Sequence, residues 1–328
     1  MTTNPHTATP FNEDIRRFRI RLDGREWRYG VGAAWLGRGG LAPEAIAADA
    51  AVLARAYALG VRYFDTSAKY GDSEYVVGAF LGERRAIRET LFVATKSPIP
   101  EQLTRQEAKA FVARSVDESL RRLQTEYIDL LQIHDIYTLE QVVGEGGSLE
   151  ALEEARAAGK IRYIGLGTRP LDLLEHGIAH GLVDSVLTYS DYTPIDRGAD
   201  ALLRLAADRQ AVVVNGSPLS AGMLAGADPR TLPVAEWHEE SVVRRELAAE
   251  VYDLCARHGV PILAAALQFP LRRDEIAMNL TGPKDGEELV SALQALNHPI
   301  PESFWHALDA WYAERPAAAD GTAGQSNP

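Results

Sequence analysis

The 328-residue chain has one cysteine, Cys255, set in the helical run Val-Tyr-Asp-Leu-Cys-Ala-Arg-His. A lone thiol excludes an intrachain disulfide and a zinc cluster of several cysteines, so no metal site is expected and Cys255 is assigned to core packing. Long apolar runs are also missing. No stretch is long enough to span a bilayer, and the first ten residues lack the apolar segment of a secretory signal, which together predict a cytoplasmic protein. Basic charge is scarce: 34 Lys and Arg face 46 Asp and Glu, for a net charge of −12. Such a field repels polyanions and argues against nucleic-acid or anionic-membrane partners. No G-x-G-x-x-G occurs. Gly30-Val-Gly32 and Gly165-Leu-Gly167 come nearest and lack the third glycine, which disfavours a doubly wound dinucleotide-binding sheet.

What is present is alternation. Short apolar runs near Tyr63, Leu91–Thr95, Ile128–Ile133, Ile161–Ile164, Ser185–Thr188, Val212–Val214 and Glu275–Leu280 are separated by amphipathic helical stretches. Ahead of them, Phe18–Leu22 and Trp27–Gly32 flank Asp23-Gly24, a pair suited to the positive φ angles of a tight hairpin. With the second arm of that hairpin taken as the first strand, about eight βα units result, enough to close a parallel barrel. The expected fold is therefore an α/β (β/α)8 TIM barrel with an N-terminal β-hairpin. An extra C-terminal helix follows over Glu302–Tyr312. Residues 1–15 and 315–328 are polar and rich in proline, alanine or glycine and are expected to be flexible tails around a single domain of residues 16–314. The longest irregular stretch, Ala221–Trp237, has the length of a functional lid or a disordered loop.

Three of the predicted strands end in polar groups. Asp65 and Tyr70 follow the strand at Tyr63-Phe64, Lys96 ends Leu-Phe-Val-Ala-Thr-Lys, and His134 ends Tyr-Ile-Asp-Leu-Leu-Gln-Ile-His. In a parallel barrel these strand ends share one mouth, where catalytic groups converge. A phenol with a pKa near 10 needs help to act as a base at neutral pH, and a neighbouring ammonium supplies it. At about 4 Å and an effective dielectric near 20 the attraction is roughly 4 kcal/mol, which would bring Tyr70 near neutrality. Asp65 would hold Lys96 charged and oriented, and His134 would hydrogen-bond the reacting oxygen.

The order Asp65, Tyr70, Lys96, His134, with five residues from aspartate to tyrosine, resembles the aldo-keto reductase superfamily from about residue 18 to 297. The resemblance implies a barrel that binds an extended nicotinamide dinucleotide without a Rossmann domain, and it implies that these four residues are the catalytic tetrad. It places Ser217, Pro218, Leu219 and Gly222 against the pyrophosphate, in the loop after the seventh strand. After the eighth strand it places Thr281, Gly282, Lys284 and Glu288 near the adenosine end. Relatives selective for NADP carry basic residues here, whereas this chain has Gly282 and Glu288; NAD is therefore favoured over NADP.

The segment Ile164-Gly-Leu-Gly-Thr-Arg169 departs from the Ser-Asn pair that holds the nicotinamide carboxamide in many members. It resembles instead the branch containing L-galactose, L-fucose and D-threo-aldose 1-dehydrogenases, as does His134-Asp135-Ile136. Thr168 becomes a candidate for the carboxamide. Trp35, Tyr137, Tyr189 and Tyr192 are candidates for the substrate pocket. The resulting expectation is an NAD-dependent oxidoreductase that oxidises the anomeric hydroxyl of a small-molecule aldose to a lactone. The alternatives are NADPH-dependent reduction of an aldehyde or ketone, including pyridoxal-type or natural-product carbonyls, and a non-catalytic nucleotide-sensing subunit.

Overall fold

A computed structural model describes residues 10–233 and 241–315. A short helix α1 (Pro10–Asp14) leads into a 3-10 turn (Ile15–Phe18) and a hairpin of β1 (Ile20–Leu22) and β2 (Arg25–Trp27). Asp23 and Gly24 take φ angles of 47° and 80°, as this tight turn requires. The order then runs β3 (Tyr29–Gly32), α2 (Pro43–Ala58), β4 (Tyr63–Asp65), α3 (Ser73–Gly82), β5 (Phe92–Pro98), α4 (Arg105–Leu123), β6 (Ile128–His134) and α5 (Ser148–Ala157). It continues with β7 (Ile161–Gly167), α6 (Leu171–Ala179), β8 (Ser185–Tyr189), α7 (Asp200–Arg209), β9 (Val212–Gly216), α8 (Ser241–Arg257), α9 (Ile262–Gln268), β10 (Ile276–Thr281), α10 (Gly286–Leu296) and α11 (Glu302–Ala313). Strands β3 to β10 close a parallel barrel in sequence order, β10 pairing with β3. No single helix among the described residues is long and apolar enough to cross a membrane.

Two expectations change. The hairpin does not lend its second arm to the barrel, because the chain breaks at Arg28. That guanidinium turns away to donate to the carbonyls of Arg273 and Ile276, at 2.8 Å each, and the barrel begins one strand later, at Tyr29. Nor do residues 10–15 belong to a flexible tail. Phe11 and Ile15 are buried with Phe18 among Tyr63, Phe92, Val212 and Met278, closing the N-terminal end of the barrel. Phe11 stacks on Tyr163 with centroids 4.1 Å apart and on Phe92 at 5.5 Å, and Asp14 accepts from the Tyr163 hydroxyl at 3.2 Å. A polar, proline-containing sequence hid this plug, since its apolar residues are too sparse to show periodicity. Residues 1–9 and 316–328, the rest of the expected tails, lie outside the described residues, as do 234–237 of the long loop and 238–240 after it. Truncating the plug with Phe11→Ala is expected to cost about 3 to 5 kcal/mol by removing a buried ring, read as a lower denaturant midpoint with unchanged slope.

Candidate active site

The mouth at the C-terminal strand ends brings four polar side chains together. Asp65 ends β4, Lys96 lies late in β5 and His134 ends β6, all buried; Tyr70 sits in the turn leading to α3. Lys96 spends its donors inward: Nζ donates to the Asp65 carboxylate and, at 2.8 Å, to the Thr66 carbonyl. It stands 4.9 Å from the Tyr70 ring centroid, close enough for its charge to act on the phenol. An ammonium has three donors and no acceptor, so the group it turns toward the phenol can only donate. Burial opposes the lysine's charge, but Asp65 and Tyr70 more than offset it, and its pKa ends above the ordinary value.

Tyr70 does not meet the expectation of a phenol near neutrality. Burial pushes it above 10, the Lys96 charge pulls the other way, and the carboxylates of Asp65 and Asp135 push it further up. The ammonium is already shared with Asp65, so the isolated-pair estimate overstates its effect on the phenol.

His134 stands edge-on to Tyr70, ring centroids 6.0 Å apart and planes at 90°. Its Nδ1 lies 2.6 Å from the Gly167 carbonyl, which can only accept. Nδ1 therefore carries the proton, and burial together with the Lys96 charge pushes the imidazole down to about 4. A neutral ring protonated at Nδ1 presents a lone pair at Nε2.

Sequence reasoning missed several members of this arrangement. Gln132 is fully buried beneath His134 and its Nε2 approaches Asp65 Oδ2 at 3.4 Å. Its berth exists because β7 has glycine at 165: a Cβ there would lie 2.7 Å from Gln132 Cγ. Asp135 and Lys69 also face the mouth, paired at 2.6 Å. Their signal was present, a charged residue on each side of the tetrad motif, but charges at loop positions are ordinarily solvated.

The remaining candidates divide. Thr168 is buried with its hydroxyl donating to the Ile136 carbonyl, so its proton ties two loops together instead of facing a carboxamide. Thr281 likewise shares its hydroxyl with Tyr29 at 2.6 Å. Trp35 and Tyr137 are well exposed in loops at the mouth, and Tyr189 is 40% exposed with the Arg169 guanidinium 5.0 Å over its ring. Tyr192 is not with them. The chain reverses at Ser190, φ 65°, and Tyr192 turns outward to stack on Phe269 at 5.2 Å, lining a separate cavity with Arg197 and Arg273.

The loop after β9 fits a phosphate-bearing cofactor. Ser217, Ser220 and Ala221 take φ of 53°, 47° and 55°, an unusual run for residues with side chains. Within it Ser220 N–H donates to Ser217 and Gly222 N–H to Leu219, while the N–H groups of Leu219 and Ala221 have no acceptor among the described residues. Turns of this kind present backbone donors to anions. The Ser220 hydroxyl, unnoticed in the sequence, is buried there without a partner. Across the mouth Gly282 lies under Trp35, and a Cβ would stand 3.0 Å from its Cδ1.

A closed parallel barrel thus gathers a Lys–Asp pair, a phenol and a neutral imidazole at its mouth, groups chemically able to take up and return a proton. The profile of the Aldo/keto reductase family matches residues 29–313, and the chain belongs to that family of NAD(P)-dependent oxidoreductases. Among curated relatives it is 34% identical over 281 residues to L-galactose dehydrogenase of Arabidopsis thaliana, covering 78% of this chain and 86% of that protein. It is 29% identical over 318 residues to pyridoxal 4-dehydrogenase of Microbacterium luteolum, covering 85% and 92%. It is 27% identical over 284 residues to D-threo-aldose 1-dehydrogenase of a Pseudomonas species, covering 79% and 86%. An aldo-keto reductase from Bacillus halodurans, solved in its holo form, superposes with a TM-score of 0.68 at 23% identity, covering 93% of this chain and 97% of that one.

Proposed function

We propose that the protein oxidises the anomeric hydroxyl of an aldose to the lactone, with NAD as hydride acceptor and Tyr70, Lys96, Asp65 and His134 as the catalytic group. The observation that carries this reading is the protonation of His134. With Nδ1 donating to the Gly167 carbonyl at 2.6 Å, Nε2 is an acceptor, and an acceptor binds a hydroxyl where it would repel a carbonyl oxygen. The likeness to two sugar dehydrogenases points the same way.

In this reading the substrate hydroxyl binds with its one proton toward His134 Nε2, then turns that proton to Tyr70 in its phenolate form, which takes it. Lys96 stabilises the phenolate and Asp65 fixes Lys96. The oxidised nicotinamide supplies the chemistry of accepting a hydride from the same carbon. The N–H groups of Leu219 and Ala221 and the Ser220 hydroxyl would hold the pyrophosphate, with Ser217 and Gly222 shaping the turn and Pro218 covering it. Tyr189 offers the nicotinamide a face, and Trp35 and Tyr137 flank the substrate. The second reading, carbonyl reduction, has its own support: Tyr70 is a protonated phenol at neutral pH, ready to donate. A panel of free aldoses with NAD and NADP, run beside aldehydes with the reduced cofactors, separates the two. Lactone formation faster than any aldehyde reduction is the expected outcome; turnover of aldehydes alone would overturn the leading reading.

Selectivity for NAD rests on Lys284. This cation at the adenosine end is held by Glu288, Nζ to Oε1 at 2.8 Å, and its N–H donates to the other oxygen at 3.0 Å. Asp285 caps α10 by accepting from the N–H groups of Glu287 and Glu288, 2.9 Å each, so the helix start is already supplied with an anion. A 2′-phosphate would meet carboxylates and an occupied lysine. Glu288→Gln releases Lys284 and is expected to narrow the NAD-over-NADP ratio of kcat/KM by about three- to tenfold, a modest effect because the pair is exposed. Adding a basic residue at Gly282 is the poorer design, since its side chain would strike Trp35.

A further inference from the structure

We infer that Asp135 is a specificity-determining residue that accepts a hydrogen bond from a second hydroxyl on the carbon next to the reacting one, so that the site reads a vicinal diol. It deepens the aldose reading and rests on it for the identity of the substrate, but not for the test. The motivating geometry is a pair of acceptors side by side. Asp135 Oδ1 stands 3.6 Å from His134 Nε2, and with Nδ1 protonated neither atom can donate to the other. Lys69 occupies only the far carboxylate oxygen, Nζ to Oδ2 at 2.6 Å. Oδ1 therefore accepts from no donor among the described residues and lies beside the nitrogen that receives the reacting oxygen. Two adjacent acceptors repel until donors arrive, and a hydroxyl pair on neighbouring carbons delivers two donors at about hydrogen-bond spacing.

The backbone is built for this aim. Asp135 holds φ 51°, in the left-handed region that few side-chain residues adopt, and its N–H donates to the same Gly167 carbonyl that fixes His134, at 3.3 Å. That turn brings the carboxylate back beside His134. Lys69 immediately precedes Tyr70, so its pairing with Asp135 also ties the tyrosine loop to the end of β6.

The test compares kcat/KM for an aldose and its 2-deoxy counterpart in wild type, Asp135→Asn, Asp135→Gly and Lys69→Met. Glycine suits the positive φ and asparagine tolerates it, so neither strains the turn. Wild type is expected to prefer the 2-hydroxy substrate by roughly 10- to 100-fold, the range of one hydrogen bond to a charged acceptor. The preference should fall toward unity in Asp135→Gly, with Asp135→Asn and Lys69→Met intermediate. Should no aldose be oxidised, the same ratio is read in the reductive direction from 2-hydroxypropanal against propanal, so that failure of the aldose reading is distinguishable from failure of this one. A wild-type ratio near one overturns the inference, and so does an equal fall for both substrates in Asp135→Gly that leaves the ratio intact.

Discussion

Tyr70→Phe is expected to lose about a thousandfold or more in turnover, within the range associated with a positioned acid–base group, while nucleotide affinity stays close to wild type. Phenylalanine keeps the ring that stands edge-on to His134 at 6.0 Å and 4.9 Å from Lys96 Nζ, and removes only the phenol oxygen. Both directions should fall together, because the same oxygen takes the proton in oxidation and returns it in reduction. Steady-state rates, with binding followed by quenching of tryptophan fluorescence, make the measurement. Activity within tenfold of wild type in a folded variant would remove Tyr70 from proton transfer.

The convergence of Asp65, Tyr70, Lys96 and His134 was legible in the sequence because each closes or follows an apolar strand, and strand ends in a parallel barrel share one mouth. The barrel was legible for a similar reason, through the alternation of short apolar strands with amphipathic helices. What escaped was non-local. The closure of the barrel floor by Phe11 depends on contact with Tyr163 and Phe92, far along the chain, in a segment too short for periodicity. The outward turn of Tyr192 depends on one left-handed residue, Ser190, whose identity does not announce it. Gly165 and Gly167 read as a departure from a motif; space for the buried Gln132 side chain accounts for both, since a Cβ at 167 would stand 3.2 Å from Gln132 Oε1. Charge balance was the least legible. The direction of the Tyr70 shift depends on burial and on Asp135, neither of which a pairwise estimate with Lys96 contains.

Lys96→Met should separate the two duties of the lysine. It removes the cation that pulls the Tyr70 pKa down, so the phenol's pKa rises further. In oxidation, which needs phenolate, the rate should fall by about a hundredfold or more, as expected for loss of a buried charge-stabilising group. Its rising limb should move to higher pH, because less of the enzyme is deprotonated at any given pH. In reduction, which needs the phenol, the falling limb should also move to higher pH, so activity persists further into alkali. The same substitution strands Asp65, 4% exposed, without its ammonium. Breaking a buried pair in this way costs about 3 to 5 kcal/mol. Combining Asp65→Asn with Lys96→Met removes the stranded carboxylate and should recover most of that stability while leaving the rate low. Recovery of stability without recovery of rate assigns the lysine to chemistry. An unshifted pH profile in Lys96→Met, measured in both directions, would confine it to holding the barrel together.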